Sequence, residues 1–375
     1  MIYLDNAATT YPKPEEVLKA LDIANRNAFN TGRGSYKVAR ESSKIIDETR
    51  EKILKLNNMK SGEVVFTASA TQSLNDIILN LEIDNGDNIY ISPFEHNSIV
   101  RVLEHLKELK QINVFTIPFF KETWELDKEK LKNMFALNKP KLILVSQVSN
   151  VTGFKVPYID IFKFSEQYNS INVLDSSQAF GILKIDDYSN INYIVFAGHK
   201  SLYSSFGIAG FIKLKNDKLN HVIYGGTGSD TMNPLMPEKG TNVYEAGSPN
   251  IVAISGLHAS IDWLNSVNIQ QEEEKMTTYL IKELKKIKKV KLFIPEDISK
   301  IFGVISFAVE GYESDEVGKI LDDEFDICVR TGFHCAPLVH DFIDSLGYNG
   351  TIRCSLSYFS TKEDIDSLIN ALKTL

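Results

Sequence analysis

Apolar residues along the chain fall into two alternating rhythms. Short runs at 64–67, 88–92, 141–147, 171–175, 193–197 and 208–213 are rich in branched and aromatic residues and read as strands. Between them Leu74, Ile77, Ile78 and Leu81, and then Ile99, Val102, Leu103 and Leu106, recur at the spacing of one helix face. This alternation predicts an α/β fold, a large mostly parallel mixed sheet covered by helices. Beyond residue 250 the rhythm changes. Residues 251–264 read as a long helix and the Glu- and Lys-rich stretch 270–289 as an exposed helix. Residues 290–294, 303–309 and 326–330 read as strands. We therefore expect a large domain over 15–255 and a smaller α+β domain over 256–375 that also takes in 1–14.

Composition narrows the function classes. Hydrophobic residues make up 43% of the 375, enough for an ordinary core. Basic residues number 41 against 49 acidic, a net charge of −8 with no basic stripe, so nucleic acid is not expected as a partner. No signal peptide and no apolar run of about 18 residues is visible, so no membrane partner is expected. The three cysteines, Cys328, Cys335 and Cys354, are odd in number and form no C-x-x-C pair, which suits a reducing cytoplasm. Zinc is not expected, although His334, Cys335 and His340 lie close in sequence.

Four places carry candidate chemistry. Phe66 to Thr71 passes from a strand through small residues into a helix, a turn whose free N–H groups suit a phosphate; an N-cap turn is the plainer reading. Asp175 ends a buried strand, where open α/β sheets bind ligands; a simple cap before Ser176 is the alternative. Lys200 follows the strand 193–197 through Gly198 and His199. An apolar setting there lowers an amine's pKa and favours Schiff-base formation, whereas a surface lysine would do nothing. Neither a nucleotide P-loop nor a dinucleotide fingerprint is completed around Gly198 or Gly226. Cys335 lies in a loop between Gly332 and Pro337, where a thiol is exposed enough to react, while Cys328 and Cys354 read as small core residues. Each signal alone is weak. Their order supplies what a pyridoxal-phosphate site needs: a phosphate cradle, a carboxylate for the pyridine nitrogen and a Schiff-base lysine.

With these residues in view, the chain resembles the class V aminotransferase-fold family and, within it, the cysteine desulfurases. The resemblance rests on Tyr3 to Thr10, Thr67 to Asn75, Glu95 to Ser98, Ser149 to Gly153, Asp175 to Gly181, Gly198 to Lys200, Glu245 to Asn250, Arg330 to Pro337 and Thr351 to Leu356. The short span between Cys335 and Arg353 is more similar to the SufS-like (type II) and selenocysteine-lyase branch than to the IscS-like branch. The resemblance implies fold type I of the pyridoxal-phosphate-dependent transferases and a homodimer. It implies removal of sulfur from L-cysteine, or selenium from L-selenocysteine, for a protein or thiol acceptor of the kind that serves iron–sulfur cluster assembly. It implies that Lys200 holds the cofactor and moves protons at Cα, that Asp175 keeps the pyridine nitrogen protonated and that His96 stacks on the ring. Gln178 and Asn150 would approach the ring hydroxyl, Asn150 and Arg353 the substrate. Ala70, Thr71 and His199 would hold the phosphate, and Thr227 the phosphate of the partner subunit. Cys335 would receive the sulfur.

The chain departs from the family's usual pattern at Ala197, where a hydroxyl is common, and at Ser204-Ser205, where Gly-Pro is common. Other readings on the same scaffold are a selenocysteine lyase or other C–S lyase, a class V aminotransferase, and a non-catalytic cofactor-binding scaffold.

Overall fold

The computed structural model describes residues 1–375 apart from 28–30, 32, 33, 35, 222 and 229–231. In chain order the strands are β1 (Ile2–Tyr3), β2 (Glu63–Thr67), β3 (Asn88–Ile91), β4 (Asn113–Thr116), β5 (Pro140–Ser146), β6 (Ile171–Asp175), β7 (Tyr193–Ala197), β8 (Ala209–Lys213), β9 (Val290–Leu292), β10 (Val304–Val309), β11 (Ile327–Cys328), β12 (Arg330–Gly332) and β13 (Thr351–Ser355). The helices are α1 (Glu15–Asn27), α2 (Lys37–Leu56), α3 (Ala70–Asn80), α4 (Asn97–Lys110), α5 (Lys128–Leu137), α6 (Tyr158–Ser165), α7 (Ile251–Leu264), α8 (Ile269–Leu284), α9 (Ser314–Phe325), α10 (Pro337–Phe342) and α11 (Lys362–Thr374).

Among the described residues the largest sheet runs β2-β8-β7-β6-β5-β3-β4. Only β8 is antiparallel to its neighbours; the others run together, so their carboxyl ends share one edge. The central strands are buried along nearly their whole length because helices cover both faces, which is why β5, β6 and β7 read as continuous apolar runs. A second sheet, β12-β13-β10-β9, is antiparallel throughout, and β1 pairs in parallel with β11.

The two sheets meet closely at the turn after β5. Gly153 has φ +69, and a Cβ there would lie 2.2 Å from the Val304 carbonyl oxygen, so glycine alone lets β10 approach. Phe302 N–H donates to the Gly153 carbonyl (2.8 Å), and Ser306 Oγ to the Val151 carbonyl (2.6 Å).

Three expectations need correcting. The 270–289 helix ends at Leu284 and is not simply exposed: Ile269, Glu273, Thr277, Leu280, Ile281 and Leu284 are buried. The strand expected over 326–330 splits into β11 and β12, which belong to different sheets. Cys328 lies at the β1 edge and is only half-buried, whereas Cys354 is buried in the core. The short edge strand β4, exposed at both ends, carried too little apolar pattern to be read.

Candidate active site

Five parallel strands deliver their following residues to one edge. After β2, Ser69 caps α3 by accepting from the Gln72 N–H (3.1 Å). Among the described residues this leaves the Ala70 and Thr71 amides without a hydrogen bond, at the positive end of an 11-residue helix. That is an anion cradle.

After β3, His96 caps α4: its Nδ1 accepts from the Ser98 N–H (3.1 Å). The accepted bond places the ring proton on Nε2. Burial, with Lys200 close by, pushes the imidazole down to about 4, so the ring is neutral. Beneath it, fully buried Glu95 accepts from Ser92 Oγ (2.5 Å), Ser146 N–H (2.8 Å) and Ser146 Oγ (2.7 Å). Burial pushes Glu95 up to about 7, against the pull of those bonds.

After β6 and β7 come Asp175 and Lys200. Ser177 donates from its N–H (2.9 Å) and Oγ (2.5 Å) to Asp175 Oδ1, leaving Oδ2 without a bond among the described residues. Gln178 Nε2 donates to the Ala7 carbonyl (3.0 Å). Desolvation lowers the Lys200 amine below the ordinary lysine range, with Asp175 and then Cys335 opposing the shift and Arg353 and Arg330 reinforcing it. Lys200, Asp175, Arg353 and Cys335, singled out by sequence, therefore lie near one another, and the fold adds Arg330 to them.

The backbone around Lys200 is held from the N-terminal segment. Thr10 N–H (3.1 Å), Thr9 Oγ1 (3.0 Å) and Lys13 Nζ (2.9 Å) all donate to the His199 carbonyl. Gly198 approaches the Ile208 carbonyl so closely that a Cβ would lie 2.6 Å away. His199 is driven down to about 4, chiefly by burial, and its buried Nδ1 has no partner among the described residues. At the departures from the family pattern, Ala197 is buried, and Ser204 Oγ and Ser205 Oγ are buried without partners among the described residues.

The small sheet contributes two arginines. In its register Arg330 of β12 lies directly opposite Arg353 of β13. Like charges so paired repel unless an anion lies between or beside them. Asp5 supplies one: Arg353 Nη2 donates to Asp5 Oδ1 (2.5 Å). Arg353 Nη1 donates to the Asn150 carbonyl (2.9 Å), and its buried Nε is unpaired among the described residues. An unpaired N–H on a guanidinium 2% exposed fits a ligand carboxylate.

Arg330 Nη2 also reaches Cys335 Sγ at 3.9 Å. Cys335 is exposed, while burial raises the pKa of both Cys328 and Cys354 and makes them poorer nucleophiles. Thr227 lies half-buried between β8 and α7, beside a turn closed by Gly247 N–H to the Gly226 carbonyl (2.8 Å).

Asp5, Glu95 and Arg330 lie inside recognised motifs but received no role from sequence. A position five before Cys335 could have flagged Arg330; pairing with Arg353 needs the strand register. The unpaired cradle amides, the free Asp175 Oδ2, the depressed Lys200 amine and the orphaned His199 Nδ1 and Arg353 Nε together fit pyridoxal phosphate joined to an amino acid.

The comparisons agree. The aminotransferase class-V profile matches residues 2–368. A probable cysteine desulfurase of Methanothermobacter thermautotrophicus is 29% identical, covering 100% of this chain and 94% of that protein. A cysteine desulfurase of Wigglesworthia glossinidia brevipalpis is 30% identical, over 99% of this chain and 92% of its own. The apo structure of a cysteine desulfurase from Thermococcus onnurineus NA1 superposes with a TM-score of 0.91 at 27% identity, covering 100% of this chain and 94% of that one. By its profile, its full-length relatives and its fold, the chain belongs to the aminotransferase class-V family.

Proposed function

We propose that this protein is a pyridoxal-phosphate-dependent cysteine desulfurase that moves sulfur from L-cysteine to Cys335 and releases L-alanine. The observation that carries the reading is the convergence of a desolvated Lys200 amine, the Asp175 carboxylate, two facing arginines and an exposed Cys335. Full-length likeness to proteins named cysteine desulfurase supports it.

Pyridoxal phosphate, when bound, supplies an electron sink for negative charge at the substrate Cα. Lys200 would hold it covalently. Asp175 Oδ2 would pair with the pyridine nitrogen, His96 would lie against the ring as a neutral imidazole, and Gln178 and Asn150 would flank the ring hydroxyl. The Ala70 and Thr71 amides with His199 would hold the phosphate. Arg353 would bind the substrate carboxylate through Nε. Lys200, whose amine desolvation makes easier to deprotonate, takes the proton from Cα. The Cys335 thiolate attacks the substrate sulfur; an S–S bond forms, and the Cβ–S bond breaks with its electron pair going to carbon. Protonation of that carbon gives alanine, and Cys335 keeps a persulfide. No external oxidant or reductant is required.

The persulfide sulfur would pass to a thiol or protein acceptor in a reducing, cytoplasmic setting. Residues 15–255 would bind the cofactor, and 256–375 with 1–14 would bring the arginines and Cys335. We further propose a homodimer in which Thr227 serves the partner's phosphate site; an active species with the mass of one chain counts against it.

The test uses the holoenzyme with L-cysteine and no reductant. In a separate sample without cysteine, borohydride reduction should fix the cofactor on Lys200; in the cysteine-treated sample, one sulfur should add to the Cys335 peptide. Cys335→Ala should retain cofactor colour and lose sulfide release, while Cys328→Ala and Cys354→Ala keep it. Full activity of Cys335→Ala on cysteine overturns the mechanism in favour of a thiol-independent C–S lyase. Activity retained only on selenocysteine favours a selenocysteine lyase.

A further inference from the structure

The loop carrying Cys335 has an unusual backbone. Gly332 has φ +88, His334 φ +46 and Cys335 φ +57. Two consecutive non-glycine residues in the left-handed region are held against their own preference, so the surroundings must hold them. Among the described residues, two bonds from the large sheet's edge reach the carbonyls of these two residues. Asn150 Nδ2 donates to the His334 carbonyl (2.8 Å), and the Asn97 N–H donates to the Cys335 carbonyl (2.7 Å). His334 is fixed from the other side by its Nε2 against Thr351 Oγ1 (2.8 Å), and burial drives it down to about 2, so it stays neutral. The loop is therefore docked through its backbone, not free to swing.

Asn150 does two things at once. Its side chain holds the Cys335 loop, and its carbonyl accepts from Arg353 Nη1. Asn97 is the first residue of α4, directly after His96. The Cys335 carbonyl thus rests on the same helix start that presents the His96 ring.

We propose that Asn150 and the Asn97 amide are the positioning groups for Cys335: together they hold the loop in its left-handed conformation, so that the thiol sits at a fixed place relative to Lys200 and Arg353. This deepens the desulfurase reading and rests on it for the meaning of the thiol's placement. The docking itself is independent of that reading.

Two variants remove one bond each. Asn150→Ala deletes the side-chain donor and leaves the carbonyl that holds Arg353. Asn97→Pro deletes the N–H along with the Asn97 side chain. Proline is accommodated there because Asn97 opens the helix and His96 is extended, at φ −75 and ψ 157, as a residue before proline requires. Asn97→Ala keeps the amide and serves as the control.

Hydrogen exchange of the 331–337 peptide in the holoenzyme should speed up about 5-fold or more in Asn150→Ala and Asn97→Pro, and stay unchanged in Asn97→Ala. Per bound cofactor, kcat for sulfur release should fall at least about 10-fold in Asn97→Pro, whose lost amide bonds only the Cys335 carbonyl, with KM for cysteine within about 2-fold, because Arg353 keeps its partners. Unchanged exchange in both variants overturns the docking. Faster exchange with unchanged kcat overturns the positioning role. A wild-type protein that forms no persulfide from cysteine, yet shows the exchange differences, refutes the desulfurase reading and leaves the docking standing.

Discussion

Removing Asp5 should expose how much the paired arginines depend on it. Arg353 is 2% exposed and Asp5 21%, with 2.5 Å between Nη2 and Oδ1. Taking one partner from a buried ion pair costs about 3–5 kcal/mol, because the other charge is left without compensation. Partial exposure of Asp5 lets water relieve some of that, so Asp5→Ala should cost about 2–3 kcal/mol. The melting entropy of about 2.1 cal/mol/K per residue gives roughly 0.8 kcal/mol/K for 375 residues. The expected fall in Tm is therefore about 3–4 °C. Asp5→Asn keeps the Oδ1 acceptor and should lose about half as much. Asp5→Ala with Arg353→Met should be less destabilised than the sum of the single variants, since no guanidinium is then left unpaired.

Function is linked to the same pair. If Arg353 takes the substrate carboxylate, L-alanine should raise the Tm of holo Asp5→Ala more than that of the wild type, since the ligand restores the missing anion. Calorimetry of the four proteins, with and without alanine, measures both effects. Strict additivity of the two substitutions, or an Asp5→Ala variant within about 0.5 kcal/mol of wild type, refutes the reasoning.

Asp175→Asn preserves shape and removes charge, so cofactor should be retained at least in part while turnover falls by about 10²-fold or more; near-normal turnover contradicts the role. Glu273 gives a pH signature. It is fully buried, with Tyr203 Oη as its donor (2.9 Å), and burial raises its carboxyl to about 8. The unfolded chain ionises near the ordinary 4.5, so the stability this carboxyl contributes is complete below that pH and lost as pH rises through about 8. Glu273→Gln cannot ionise; its stability relative to wild type should rise between pH 5 and 8.5 by at most about 1.4 kcal/mol per unit. A constant difference in denaturant midpoints across that range refutes it.

Much of this protein was legible in the sequence because its chemistry sits on local punctuation. Strands β6 and β7 were bounded to the residue, since each is a buried apolar run that stops at a polar group, Asp175 or the Gly198 turn. Cys335 was singled out by Gly332 and Pro337, which mark a loop. In helix α8 the Glu and Lys content conceals a buried stripe at Glu273, Thr277 and Leu280. Periodicity says which face is apolar; it cannot say that a glutamate will be covered.

Sequence alone therefore determined the alternation of strands and helices, the order of the reactive residues and the family. Tertiary structure decided what those residues touch. Arg330 opposite Arg353 is a matter of strand register, and Asp5 beside Arg353 joins residues 348 positions apart. The bonds from Asn150 and Asn97 to the Cys335 loop connect the edge of one sheet to another. Such contacts depend on how separate elements pack, and hydrophobic spacing within each element does not encode them. The physical reason is range: capping, turns and amphipathic faces are fixed within a few residues, whereas charge compensation and loop docking arise only when distant segments are brought together.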